Sequence, residues 1–188
     1  MYREFLEVMI SDRAILIVED EISDRELIIE AFRANGVTTP IHVVNNGKEA
    51  IAYLMGEGEY ADRKKFPYPS LLITDLKMPG LDGFGVLEHL KNNPEWGIVP
   101  TVVLTASTDA DDVKKAYMLG ASCYHQKRQS MGQLRRLLGL LHDYWMTCVV
   151  PEVDATGKRL PTESRGKLGE RFAQSSGSEQ KRKSPPGH

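Results

Sequence analysis

The chain predicts an α/β fold, a doubly wound arrangement in which one parallel sheet is covered by helices on both faces. Three observations carry this. Between Arg13 and Val150, short apolar runs alternate with amphipathic stretches five times over, the pattern of repeated strand–helix units. Most of the short runs, such as Ile15-Leu16-Ile17-Val18, are apolar without alternation, as expected for strands covered on both faces. The amphipathic stretches begin and end on residues suited to capping a helix.

Strands are expected over residues 14–18, 41–45, 71–74, 101–104 and 122–124, and helices over 23–35, 47–55, 84–92, 110–119 and 130–147. Ser23 with Glu26 and Ser130 with Gln133 have capping-box spacing, in which two side chains satisfy free amides reciprocally. Gly36 and Gly120 stand where a left-handed residue would end the first and fourth helices. Residues 56–69, with Pro67 and Pro69, form a connection longer than is usual in such units. It is read either as a partner contact or as a tolerated surface insertion.

The 188 residues, 41% hydrophobic and 27% charged, suffice for one domain and some surplus. The expected organisation is an N-terminal extension at 1–12, a domain at 13–150 and a low-complexity, disordered tail at 151–188. The tail is rich in Gly, Ser, Pro, Lys and Arg and ends in the cluster Lys181, Arg182 and Lys183. No second domain large enough to bind DNA is expected. A net charge of -2 creates no field towards nucleic acid or an anionic membrane, so any nucleic-acid binding would fall to the tail. Cys123 and Cys148 do not make a disulfide framework, and no apolar run approaches the roughly 18 residues of a spanning helix. A soluble cytoplasmic protein is the expectation.

In open parallel sheets the functional crevice lies beyond the carboxyl ends of the strands. Here the first strand is followed by Glu19, Asp20 and Glu21, the third by Asp75, the fourth by Thr105 and the fifth by Lys127. Each alone has an ordinary explanation as a cap, a backbone-bonded hydroxyl or a solvated lysine. Together, converging carboxylates repel one another unless a divalent cation and an ammonium compensate them, so the joint reading is a Mg²⁺ site.

Four segments carry a resemblance to a known family. They are Ile15-Leu16-Ile17-Val18-Glu19-Asp20-Glu21, the run from Leu71 through Asp75, Lys77 and Pro79 to Gly83, Val103-Leu104-Thr105-Ala106-Ser107, and Tyr124-His125-Gln126-Lys127. Over about Ala14 to Trp145 the chain resembles the CheY-like receiver domains of two-component response regulators. The resemblance implies a (βα)5 flavodoxin-like fold with strand order 2-1-3-4-5. It implies that Asp75 is the phosphoacceptor, and that Glu19, Asp20, Asp75 and the backbone carbonyl of Lys77 hold Mg²⁺. Thr105 and Lys127 would contact the phosphoryl oxygens, and Tyr124 would rotate inwards behind Thr105 as it moves. The implied donor is a histidine kinase. The implied protein is a phosphorelay switch rather than an enzyme, limited to autocatalytic transfer and slow self-dephosphorylation.

Two departures from the family pattern stand out. The pair Glu19-Asp20 replaces the commoner two aspartates, which either carboxylate accommodates. Arg128 follows Lys127 where proline is usual; a cis bond costs about 3 kcal/mol without proline, so the loop is either strained or differently routed.

With no effector domain in view, the output should be a contact made by the domain itself. The last predicted helix is apolar over more than one stripe, and a homodimer through the fourth helix, fifth strand and fifth helix, using Leu137, Leu141, Tyr144 and Trp145, is one reading. The other is a thick core contact with the tail covering the remainder. The long connection at 56–69, the extended last helix and the missing effector resemble the small regulators that partner bacterial phytochrome histidine kinases. Two other classes remain. A phosphatase of the haloacid dehalogenase type needs a second Asp two residues after its nucleophile, where this chain has Lys77. A degenerate receiver acting only as a binding module would not need the full set Glu19, Asp20, Asp75, Thr105 and Lys127.

Overall fold

The computed structural model describes residues 14–94, 98–127 and 130–148. The extension expected at 1–12, the tail expected at 151–188, and Arg128 lie outside the described residues. Five strands, β1 (Ile15–Val18), β2 (Ile41–Val44), β3 (Leu71–Thr74), β4 (Thr101–Thr105) and β5 (Cys123–Gln126), alternate with five helices. The helices are α1 (Ile22–Ala34), α2 (Gly47–Met55), α3 (Gly83–Asn92), α4 (Ala110–Met118) and α5 (Met131–Thr147), and a 3-10 turn spans Gly58–Ala61. All strand pairs are parallel and the order is β2-β1-β3-β4-β5, as expected.

The apolar side chains of the three central strands resolve into packed layers on either face of the sheet. Ile15, Ile17, Leu71, Ile73, Val102 and Leu104 point to the α1 and α5 side, against Phe32, Leu134 and Leu138 among others. Leu16, Val18 and Leu72 point the other way, onto Ala50, Leu54, Val86 and Leu90 of α2 and α3. Val103 packs with Phe84, Leu87 and Ala116 between α3 and α4. Because side chains alternate along a strand, a strand covered on both faces needs apolar residues at every position, each worth about 1.5–3 kcal/mol when buried.

The caps decide the helix boundaries. Ser130 accepts from the Gln133 amide at 3.3 Å, the serine half of the predicted box. The other predicted capping box is corrected: Glu21, in extended conformation, holds the N-cap position of α1 without a side-chain capping bond, and Ser23 lies inside the first turn with its hydroxyl donating to Glu21 Oε1. The short link after β1 forces that earlier start. Asn46, Asp82 and Asp109 cap α2, α3 and α4 through their side chains. Gly36 and Gly120 take positive φ at the ends of α1 and α4, with paired return bonds to the last turn. β5 runs two residues past its predicted end, because His125 and Gln126 pair with Leu104 and Thr105.

The long connection after α2 is built rather than loose. The Arg63 guanidinium donates to the carbonyls of Tyr53 and Leu54 at 2.7 and 2.6 Å, closing the C-terminus of α2. The Tyr53 hydroxyl donates to Pro67 O at 2.9 Å, and the rings of His42, Tyr53, Tyr60 and Phe66 pack with centroids 5.1–5.9 Å apart.

On α5 the packing corrects one candidate contact residue. Leu141 is only 8% exposed and belongs to the core with Leu134 and Leu138, because it shares their helical stripe facing the sheet. Leu137 and Trp145 are half-buried against the same core. Tyr144 stays 61% exposed, and Leu140 beside it 62%.

Candidate functional site

The register of the sheet brings the loaded strand ends to one edge. Val18 stands opposite Thr74, and the Asp75 amide donates to Val18 O at 3.0 Å, so Glu19 and Asp75 leave adjacent strands side by side. On the other flank the Lys127 amide donates to Thr105 O at 2.7 Å, continuing the β4–β5 ladder past the end of β5. Carboxylate oxygens of Glu19, Asp20 and Asp75 all lie within 4.8 Å of one another. The Lys127 ammonium sits 2.8 Å from Glu19 Oε2, 2.9 Å from Asp75 Oδ2 and 2.6 Å from Asp24 Oδ2.

Asp75 is held from its own loop as well. Its Oδ1 accepts from the amides of Leu76 at 2.6 Å and Lys77 at 3.3 Å, which orients the carboxylate. Gly83, the first residue of α3, packs directly on the Asp75 backbone: a Cβ there would lie 2.0 Å from the Asp75 carbonyl oxygen. Glycine is required at that position by space rather than by conformation.

Charge is concentrated and poorly hydrated. Glu19 is 1% exposed, and burial raises its pKa above the ordinary glutamate value; Lys127 lowers it and the Asp75 charge adds to the rise. For Lys127 burial works towards neutrality, but the hydrogen bonds to Asp24, Glu19 and Asp75 outweigh it and hold the pKa above the usual lysine range. One ammonium thus faces several carboxylates. The surplus negative charge and all-oxygen donors fit a hard divalent cation at Glu19, Asp20 and Asp75.

Thr105 is fully buried at the end of β4, where its Oγ1 accepts from the Ser107 amide at 3.4 Å. Tyr124 reaches the same loop, its hydroxyl donating to Ser107 O at 3.0 Å. The Lys77 side chain turns away from the acidic edge and pairs with Asp112 of α4 at 2.8 Å, which also accepts from Ser107 Oγ at 2.6 Å. The Lys77 bond, followed by the Ser107 bond, holds the Asp112 pKa below the usual range.

Two participants escaped the sequence reading. Asp24 contacts Lys127 from the first turn of α1, where an acidic residue is explained well enough by the helix dipole. Arg25 hydrogen-bonds the Asn45 side chain and so bridges α1 to the end of β2. Only their position four and five residues after Asp20, one turn into the helix, hinted that they return to the same edge.

Comparison with known proteins agrees with this fold. The chain belongs to the response regulator receiver domain family, whose profile matches residues 15–138. It is 33% identical over 137 residues to response regulator Rcp1 of Synechocystis, spanning 73% of this chain and 91% of that protein. The phosphorylated cyanobacterial phytochrome response regulator RcpA superposes with a TM-score of 0.68 at 35% identity, covering 74% of this chain and 99% of that one. The Mn²⁺-bound form of Rcp1 gives 0.66 at 33% identity, with 74% and 99% covered. Among the described residues, no helix is long and apolar enough to cross a membrane.

Proposed function

We propose that this chain is a single-domain response regulator of the cytoplasm that accepts a phosphoryl group on Asp75 and signals through altered protein contacts. The observation that carries the reading is the Lys127 ammonium 2.9 Å from the Asp75 carboxylate, at an edge where Glu19, Asp20 and Asp75 converge within 4.8 Å. An Asp75 oxygen attacks the phosphorus of a kinase phosphohistidine; the P–N bond breaks and its electron pair returns to the imidazole. Lys127 donates to a phosphoryl oxygen and stabilises the charge there, and Thr105 supplies a hydroxyl. Mg²⁺ bound by Glu19, Asp20, Asp75 and the Lys77 carbonyl would neutralise phosphoryl charge. Tyr124 reports the state of the Thr105 loop to the surface. Each chain carries one phosphoryl group per signalling event, so it acts stoichiometrically rather than as an enzyme.

The similarity to Rcp1 and to RcpA, the latter described as a phytochrome response regulator, supports a phytochrome-type histidine kinase as the donor. The exposed Tyr144 on α5 supports a homodimer through α4, β5 and α5 as the output.

The test is the intact mass of the protein after incubation with a small-molecule phosphodonor, with and without Mg²⁺, for wild type and Asp75→Asn. A gain of one phosphoryl group that needs both Mg²⁺ and Asp75 is expected. An unchanged wild-type mass, or equal labelling of the variant, overturns the reading.

A further inference from the structure

We propose that Asp24 is a positioning residue that holds the Lys127 ammonium in place during phosphoryl transfer, a role that rests on the function proposed for Asp75. An ammonium has three protons to donate, and here all three acceptors are carboxylates: Glu19 at 2.8 Å, Asp75 at 2.9 Å and Asp24 at 2.6 Å. Two of those acceptors have other duties in the proposed reaction. Glu19 serves the cation, and Asp75 becomes the phosphorylated group, so neither keeps its present bond to the lysine. Asp24 has no second duty.

It also approaches from a different side. The hollow between α1, β4 and α5 is lined by Asp24, Leu27, Ile28, Leu104, Lys127 and Leu134, and among these Asp24 is the carboxylate facing the lysine. Its side chain leaves the first turn of a helix packed on the sheet, so its position does not depend on the loop after β5. Residue 128 in the sequence is arginine rather than proline. The lysine is fixed at its two ends: the amide by Thr105 O at 2.7 Å and the ammonium by Asp24. A four-carbon side chain anchored at both ends loses less freedom when it engages a phosphoryl oxygen, which is how a positioning residue accelerates transfer. As Asp75 is phosphorylated, the ammonium pivots about Asp24 from the Asp75 carboxylate to the new phosphoryl oxygen.

The experiment compares phosphoryl uptake from a small-molecule phosphodonor by wild type, Asp24→Asn, Asp24→Glu, Lys127→Ala and the double variant Asp24→Asn with Lys127→Ala. It is paired with the side-chain ammonium signal of Lys127 in nitrogen-edited NMR, assigned by its absence in Lys127→Ala. Asp24→Asn is expected to slow uptake on the order of tenfold, the scale of one charge-assisted hydrogen bond, with Asp24→Glu recovering most of the loss. In the Lys127→Ala background the same substitution should change the rate less than about twofold, because its effect runs through the lysine. The ammonium signal should be sharp in wild type and broadened in Asp24→Asn. Equal slowing in both backgrounds, or a signal indifferent to Asp24, overturns the proposal. If wild type takes up no phosphoryl group, the function proposed for Asp75 fails, and the NMR signal alone still decides whether Asp24 anchors Lys127.

Discussion

Tyr124 of β5 donates its hydroxyl to the carbonyl of Ser107, 3.0 Å away, and so ties an outer strand to the loop that leaves Thr105. Ser107 in turn bonds Asp112, and Asp112 pairs with Lys77, two residues after Asp75. The acidic edge and the α4–β5 surface are therefore joined by three consecutive polar contacts.

Tyr124→Phe should keep phosphoryl uptake and lose the report. Removing one such hydrogen bond is expected to lower stability by about 1 kcal/mol, read from the urea midpoint. Backbone amide shifts of Ser107 to Asp112, which should move on phosphorylation in wild type, are expected to move much less in the variant. Full-sized shifts in Tyr124→Phe would remove the tyrosine from the switch.

Gly83→Ala should damage the site through its backbone. The added methyl would lie 2.0 Å from the Asp75 carbonyl, so α3 or the Asp75 loop must shift. A loss of about 3 kcal/mol in chemical denaturation is expected, with phosphoryl uptake falling as well. Gly80→Ala is the control: it has open space but a φ of +76°, and should cost about 1 kcal/mol with uptake intact.

Glu19→Gln should stabilise the metal-free protein at neutral pH. The folded-state pKa of Glu19 is raised, so between its ordinary value and the folded value the native state binds more protons than the unfolded chain. Stability contributed by the protonated group is complete below the ordinary glutamate pKa and is lost as pH rises through the folded one. The advantage of glutamine should therefore be largest above that window and vanish below it, as seen in denaturant midpoints across pH. Mg²⁺ should reverse the order, stabilising wild type by about 2.7 kcal/mol at a hundredfold excess over its Kd and the variant much less.

On α5, two neighbouring substitutions should separate core from surface. Leu141→Ala empties a buried site and is expected to cost 2–5 kcal/mol, an order-of-magnitude range for leucine truncation. Leu140→Ser combined with Tyr144→Ser alters exposed positions and should leave stability within about 0.5 kcal/mol per site. If α5 carries the dimer contact, the surface pair should lower apparent molecular mass in sedimentation of the phosphorylated protein. Unchanged association would place the contact elsewhere.

Much of the protein was legible in its residues. Continuous apolarity over Ile15–Val18 and Leu71–Ile73 demanded strands covered on both faces, because alternating side chains leave no polar face for water. The identities at the ends of four strands, Glu19 and Asp20, Asp75, Thr105 and Lys127, announced a charged edge because such edges form where parallel strands end. Local chemistry also marked Ser130, Gly36 and Gly120 as helix ends, since a cap is satisfied within a few residues.

What stayed hidden depends on contacts made far along the chain. Ser23 had the spacing of a cap, and only the fold shows that α1 already begins after Glu21. Leu141 and Tyr144 are three residues apart on one helix, and only the angle at which α5 meets the sheet sent one into the core and the other to solvent. Asp24 meets Lys127 across 103 residues, a distance over which spacing carries no signal. Sequence alone determined which strands exist and which chemistry gathers at their ends, because hydrophobic period and residue type are local properties. The tertiary structure decided which carboxylate grips the lysine and which leucine faces water, because those depend on how helices settle against a shared sheet.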